Sequence, residues 1–334
     1  MNQNEVMKHV LSELIDHQSL SKEEARQVLM ELASGKYNPS QMSSFMTVYM
    51  MRNITVQELE GFRDAMLELC VPVKVDAPVM DVCGTGGDGK NTFNISTLSS
   101  FVVAAAGQPV AKHGNYGVSS ACGSSNVLEY FGYSFTNNSE ELKRSLDRAN
   151  ICFMHAPLFH PAMKNVAPIR KELGVKTFFN MLGPMVNPTF PKRQLVGVFN
   201  LELARQYGYL YQDSDKDFII LHALDGYDEV SLTGPFKFFS NTGERLASPD
   251  DLGLPQLSYA DIRGGETVEE SASIFLNILE GKGTEQQNAA VVANAAMALY
   301  CVNQSSGFLP AVELARESLL SGKALGVFKR LLNK

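Results

Sequence analysis

The stretch richest in chemical potential reads Gly84-Thr85-Gly86-Gly87-Asp88-Gly89-Lys90-Asn91-Thr92-Phe93-Asn94-Ile95-Ser96-Thr97 and follows the apolar run 78–82. Four glycines within six residues admit backbone angles closed to other residues. They also let main-chain N–H groups approach a ligand with no Cβ in the way. Asn94, Ser96 and Thr97 add amide and hydroxyl partners at the start of a predicted apolar helix over 98–106. There, exposed N–H groups and the macrodipole favour negative charge, and phosphate suits such a strand-loop-helix. The pattern has neither the Gly-Lys-Ser/Thr ending of a P-loop nor the Gly-x-Gly-x-x-Gly dinucleotide fingerprint. Alone it would read as a turn or helix cap. A second segment strengthens it: Lys112-His113-Gly114-Asn115-Tyr116-Gly117-Val118-Ser119-Ser120, after the apolar stretch 109–111. Lys112 offers a point charge, the two glycines offer backbone access, and Asn115 and the serines offer further donors. Two such loops imply a ligand with more than one phosphate.

Other side chains extend the chemistry. Asp228 and Glu229 follow the apolar run 218–224 and a turn at Asp225-Gly226. Paired loop carboxylates are usually only solvated, and beside a phosphate they repel it. Mg²⁺ resolves the conflict, because it takes one or two carboxylates plus water and phosphate oxygens. Arg170 lies on a predicted helix over 161–173; the ordinary reading is a surface charge, the alternative a bidentate carboxylate clamp. The six histidines form no Ser/His/Asp arrangement. The five cysteines, Cys70, Cys83, Cys122, Cys152 and Cys301, have no metal-ligand spacing and read as core-filling thiols.

The elements that must position these groups change character near residue 75. Before it, Ser21 to Glu24 and Thr55 to Glu58 read as capping boxes, Asn38-Pro39-Ser40 introduces a third helix, and Gly35 stops one. After it, short apolar runs at 78–83, 109–112, 151–155, 194–199 and 218–224 alternate with helical stretches. The expected fold is therefore α/β: a small N-terminal all-helical domain and a large α/β domain with a central, mostly parallel sheet. The third helix carries Met42, Met46, Met50 and Met51, which suit core or subunit packing. A net charge of −7 gives no footprint for nucleic acid or an anionic membrane. No apolar run reaches the ~18 residues of a membrane span, and residues 1–13 lack a signal peptide's basic start and apolar centre. A soluble, cytoplasmic protein is the expectation.

At these residues the chain resembles the anthranilate phosphoribosyltransferases of tryptophan biosynthesis. The matching residues are the Gly-Thr-Gly-Gly-Asp-Gly loop at 84–89, 94–97, Lys112-His113-Gly114-Asn115, Ser119, Ser120, and Gly123-Ser124 before Val127-Leu128-Glu129. Further along come His160-Pro161-Ala162-Met163, Arg170-Lys171-Glu172-Leu173-Gly174, Asn180-Met181-Leu182-Gly183-Pro184 with Asn187-Pro188, and Asp228-Glu229. The resemblance implies a helical domain at 1–74 joined by part of 161–190. It also implies an α/β phosphoribosyl-binding domain made of 75–160 and 191–334. It implies transfer of the phosphoribosyl group of phosphoribosyl pyrophosphate (PRPP) to the amine of anthranilate, by a homodimer associated through the helical domain.

The resemblance also carries roles. PRPP is expected at Gly84, Gly87, Asp88, Thr92, Asn94, Ile95, Ser96 and Thr97 on the first loop. On the second it is expected at Lys112, His113, Gly114, Asn115, Tyr116, Gly117, Val118, Ser119, Ser120 and Ser124. Anthranilate is expected at Gly84, Asn115 and Arg170. Two Mg²⁺ ions are implied, Asp228 and Glu229 binding one and the Ser96 hydroxyl a second that bridges the pyrophosphate. Lys112 would stabilise the leaving group, and His113 would relay a proton or orient its loop. Tyr116 departs from the arginine of many family members, which removes a charge near the phosphates but keeps a hydroxyl. Two rival readings are a pyrimidine-nucleoside phosphorylase, which would lack the glycine loop and Asp-Glu pairing, and a non-enzymatic nucleic-acid-binding relative, which would need a basic surface and lose Arg170.

Overall fold

The computed structural model describes residues 3–117 and 121–333. The chain divides into two compact units, one running to Pro72 and resuming over Ala156–Pro188, the other made of Val73–His155 and everything from Thr189.

The first unit is helical. Helices α1 (Gln3–Ile15), α2 (Lys22–Ala33), α3 (Pro39–Met51) and α4 (Val56–Glu68) make up its N-terminal part. Ser21, Asn38 and Thr55 each cap a helix with a complete capping box, satisfying amides that have no partner inside the helix. Glu58 does more than cap. It is fully buried, takes the Thr55 amide (2.9 Å) and hydroxyl (3.0 Å) with one oxygen, and takes the Leu20 amide (3.0 Å) and Tyr49 hydroxyl (2.9 Å) with the other. Arg52 completes the set as its ion-pair partner. One carboxylate thus ties the start of α4 to α3 and to the link before α2.

The returning segment begins at Ala156, directly after a strand, rather than at 161. The expected single helix over 161–173 is instead a 3₁₀ turn, Pro161–Asn165, followed by an α-helix, Ala167–Leu173. Pro168 accounts for the break: in the first turn of the second helix it has no N–H to give to the carbonyl four residues back, and its ring would clash with that carbonyl in a continuous helix. The segment is held by aromatic packing, Phe178 stacking on Phe62 at 4.6 Å and meeting Tyr49 edge-on at 5.3 Å. The Asn165 amide also donates to Ala33 O (2.8 Å).

The second unit is a seven-stranded sheet in the order β3-β2-β1-β4-β5-β6-β7. The strands are β1 (Met80–Gly84), β2 (Val110–Gly114), β3 (Ile151–His155), β4 (Arg193–Gly197), β5 (Asp217–Ala223), β6 (Phe236–Ser240) and β7 (Gly243–Ala247). The first five are parallel, and they coincide with the five apolar runs. β6 and β7 add an antiparallel hairpin at one edge. Neither is among the five expected runs: β6 is nonetheless mostly buried, whereas in β7 Glu244, Arg245 and Leu246 are exposed, as suits an edge strand that must not recruit another. Helix α5 (Ile95–Ala105) is almost wholly buried and packs against the alanine-rich helix Glu285–Val302. The chain leaves β1 toward β2 on one side and leaves its neighbour β4 toward β5 on the other, which opens a crevice at the carboxyl ends of these strands. Among the described residues no helix is long and apolar enough to cross a membrane.

Glu58 gives the helical unit a testable dependence on one group. Burial by itself pushes its carboxyl up, but Arg52 and the Thr55 and Leu20 amides outweigh this and hold it below the ordinary value. Its stabilisation is therefore complete above the unfolded value of about 4.3 and is lost as the pH falls through the lower folded value. Glu58→Ala is expected to cost about 3–5 kcal/mol in urea unfolding at pH 7, because Arg52 is left as an unpaired, mostly buried charge. A loss under about 1 kcal/mol would show that Arg52 finds another partner.

Candidate active site

A cavity of about 200 Å³ sits in the second unit where β1 and β2 end. Its floor depends on two glycines. Gly84 and Gly197 are register partners across β1 and β4. A Cβ on Gly197 would lie 1.5 Å from the Asp228 carbonyl oxygen, and one on Gly84 would lie 2.7 Å from the Asp228 carboxylate. Only residues without a Cβ let the 226–229 loop seat on these strand ends. Gly86 then donates its amide to Asp228 Oδ2 at 2.7 Å. From the far side Asn294, buried in helix Glu285–Val302, grips Val230: it accepts the Val230 amide and donates to the Val230 carbonyl, both at 2.9 Å.

The loop therefore presents its carboxylates into a fixed frame. Asp228 is buried, Glu229 partly so, and Asp88 lies close, its Oδ2 3.5 Å from the Asp228 amide. Burial, then the Glu229 and Asp88 charges, push the Asp228 carboxyl well above the ordinary range. Burial pushes Glu229 up to about 7, while Lys112 pulls the other way, Asp88 raises it further, and the Ser96 amide and hydroxyl favour its charged form. Ser96 opens α5, so Glu229 meets the helix start that the sequence suggested for a phosphate. Lys112 is 2% exposed; its ammonium donates to the Val82 carbonyl and to Ser96 Oγ (3.3 Å). His113, buried beside it, donates its backbone N–H to Asp81 at 3.2 Å.

The second loop is zipped onto helix α6 (Ser124–Tyr130). The Asn115 carbonyl accepts from the Ser125 amide (3.2 Å) and Ser124 hydroxyl (3.3 Å), while Asn126 Oδ1 accepts the Gly117 and Gly123 amides (both 3.0 Å). The Tyr116 hydroxyl donates to Glu129 at 2.9 Å, and its ring meets His155 edge-on at 4.6 Å. Asn94 joins the two loops through Nδ2 to the Cys122 carbonyl (2.8 Å). Its Oδ1, like Thr85 Oγ1, is buried with no hydrogen-bond partner among the described residues, and both residues line the cavity. Buried polar atoms left unpaired are costly, so these two sites call for a polar ligand.

The cavity brings together Gly84, Gly87, Asp88, Thr92, Asn94, Ile95, Ser96 and Thr97 with Lys112, His113, Gly114, Asn115, Tyr116, Gly117 and Ser124. Asp228 and Glu229 line it too. Val118, Ser119 and Ser120 lie outside the described residues. Arg170 belongs to the helical unit. There its guanidinium rests over the Phe179 ring (5.1 Å) and reaches Asn180 Oδ1 (3.4 Å), with no carboxylate paired to it among the described residues. Sequence reasoning missed Lys90, Thr85, Gly197 and Asn294; for Lys90 and Thr85 the signal was a cation and a hydroxyl inside the glycine loop, whereas the other two act through contacts distant in sequence. None of the five cysteines forms a disulfide, all are buried, and burial raises each thiol, Cys152 and Cys301 to about 12, so none is poised as a nucleophile.

The donor set suits magnesium. Two adjacent carboxylates, a third nearby and a serine hydroxyl are all hard oxygen groups, and burial first, then neighbouring carboxylate charge, raises both Asp228 and Glu229, a cost that a bound cation would offset. Among the described residues no group of three or more His, Cys, Asp or Glu side chains is placed to hold a metal ion.

Residues 8–70 match the model of the glycosyl transferase family helical bundle domain, and 76–325 that of the glycosyl transferase family a/b domain. Anthranilate phosphoribosyltransferase of Flavobacterium psychrophilum is 62% identical over 326 residues, which is 97% of this chain and 98% of that protein. The crystal structure of anthranilate phosphoribosyltransferase from Thermus thermophilus superposes with a TM-score of 0.90 at 31% identity, covering 100% of this chain and 99% of that one. The Saccharomyces cerevisiae enzyme in complex with PRPP and Mg also gives 0.90, at 25% identity over 98% and 97% of the two chains. With both domains matched in order and identity this high along almost the whole length, the chain belongs to the anthranilate phosphoribosyltransferase family.

Proposed function

We propose that this chain is an anthranilate phosphoribosyltransferase that uses Mg²⁺, converting PRPP and anthranilate to N-(5-phosphoribosyl)anthranilate and pyrophosphate. The observation that carries the reading is the cavity itself. It joins a glycine loop, two buried polar atoms that lack partners among the described residues and a buried carboxylate pair at the ends of parallel strands. The Saccharomyces cerevisiae relative, bound to PRPP and Mg, supports the same ligands here.

In this reading the anthranilate nitrogen attacks C1 of the ribose, the C1–O bond to pyrophosphate breaks, and the amine's proton leaves to solvent. An aryl amine is unprotonated at neutral pH, so no strong base is required. Asp228 and Glu229 hold one Mg²⁺, and the Ser96 hydroxyl serves a second. Bound there, the ions supply positive charge to the departing pyrophosphate. Lys112 adds a fixed charge close to Glu229, and the loop amides and the Thr85 and Asn94 oxygens orient the donor before reaction. His113 holds the end of β2 in register through Asp81. Arg170 and Asn115 recognise anthranilate, the guanidinium pairing with its carboxylate. The enzyme is taken to be cytoplasmic and to dimerise through the helical unit, where Met50 and Met51 at the end of α3 are 43% and 82% exposed.

The direct test is the loss of anthranilate fluorescence on mixing the protein with PRPP and Mg²⁺. Loss that requires metal and releases one pyrophosphate per anthranilate is expected, from a species that sediments as a dimer; no loss from folded protein would refute the assignment. Arg170→Ala is expected to raise the KM for anthranilate about 10- to 100-fold, the worth of losing one or two charged hydrogen bonds, with little change for PRPP. An equal loss for both substrates would remove Arg170 from the anthranilate site. Asp228→Asn with Glu229→Gln is expected to lower kcat by about 100-fold or more. In the unaltered protein burial raises both carboxyls, Glu229 to about 7, so metal competes with a proton for Glu229 near neutral pH. Mg²⁺ binding measured by calorimetry should therefore tighten, and release protons, as the pH rises from about 6 to about 8. A pH-independent affinity would place the metal elsewhere.

A further inference from the structure

We propose that Lys90 is the ammonium that binds the pyrophosphate end of the donor, a role that rests on the reading of this cavity as the PRPP site.

Lys112 looks at first like the phosphate cation, but its ammonium is committed. It is almost fully buried and already donates to the Val82 carbonyl and the Ser96 hydroxyl, so at most one of its three protons is left for a ligand. Its charge is further drawn on by Glu229. Against it, the cavity carries Asp88, Asp228 and Glu229. A ligand with several negative charges needs another cation.

Lys90 meets that need. It lines the same cavity, is half-buried, and closes the glycine loop, its own amide donating to Asp88 Oδ1 at 2.9 Å. Its ammonium lies 4.7 Å from the centre of the Tyr227 ring. Among the described residues it makes no ion pair, although three carboxylates share the cavity. An ammonium held against an aromatic face keeps its hydrogen-bond donors for another partner, at little cost in side-chain freedom. The end of the side chain runs beside Gly226, where an added Cβ would stand 3.6 Å from Lys90 Cε. That places it on the loop bearing Asp228 and Glu229, and hence at the metal-bound pyrophosphate rather than at the 5′-phosphate.

The test is calorimetric titration of the full-length protein with PRPP plus Mg²⁺, with pyrophosphate plus Mg²⁺, and with ribose 5-phosphate. Lys90→Met is expected to weaken PRPP and pyrophosphate about 10- to 100-fold and to leave ribose 5-phosphate unchanged. Lys90→Arg should restore binding to within about threefold, since guanidinium also pairs with phosphate. The salt dependence of PRPP binding should be shallower in Lys90→Met than in the unaltered protein, because one screened charge pair is gone. Binding of PRPP by Lys90→Met as tight as in the unaltered protein would overturn the proposal. So would equal weakening in Lys90→Met and Lys90→Arg, which would make Lys90 a packing partner of Tyr227. Failure of the unaltered protein to bind PRPP or pyrophosphate would strike the underlying reading of the cavity instead.

Discussion

The close approach of the 226–229 loop to the carboxyl ends of β1 and β4 is the constraint on which the site depends. Gly84 and Gly197 face each other in the sheet, and both leave room for Asp228. Asn294 then holds the adjacent Val230 backbone by two hydrogen bonds. Parallel order around β1 opens the crevice, the glycine pair lets the acidic loop descend into it, and the alanine-rich helix locks it there. Each feature would be useless alone. A side chain at position 197 would push the carboxylates away from Ser96 and Lys112, whatever the quality of the glycine loop.

That arrangement sets the site against the stability of its own fold. A carboxyl that titrates near 4.3 in the unfolded chain and near 7 in the folded one binds its proton more tightly when folded. Stability from Glu229 therefore falls as the pH rises through that window, the reverse of Glu58, whose lowered value makes it stabilising once ionised. The two glutamates display the same chemistry under opposite management: one is given a guanidinium and four backbone or hydroxyl donors, the other is buried close to the like charge of Asp88. Sites built to attract a cation carry this cost, and the buried α5 and helix Glu285–Val302 beneath this one offset it.

Much of this was legible in the residue order because it is local. Capping boxes at Ser21 and Thr55, the five apolar parallel strands and both loops are written in neighbouring residues, whose types directly determine the backbone they favour. What escaped is set by distance or by compensation. β7 is an exposed edge strand and carries charge where an interior strand would carry apolar residues. Pro168 interrupts a stretch whose other residues favour helix. Gly197 and Asn294 matter only through Asp228 and Val230, far off in sequence, and Lys90 gains meaning only once Lys112 is seen to be occupied. The family resemblance supplied Arg170, which no local pattern would have distinguished from a surface charge.

The division of the helical unit also has a bearing on how the protein is made. Its four N-terminal helices leave the ribosome first, yet the cluster of Phe45, Tyr49 and Phe62 is closed by Phe178, which arrives only after β1, β2 and β3. At about 5–20 residues per second, that apolar face waits on the order of ten seconds for its cover. During synthesis it is a natural place for a chaperone to bind, and it is the surface through which two nascent chains would most readily exchange segments.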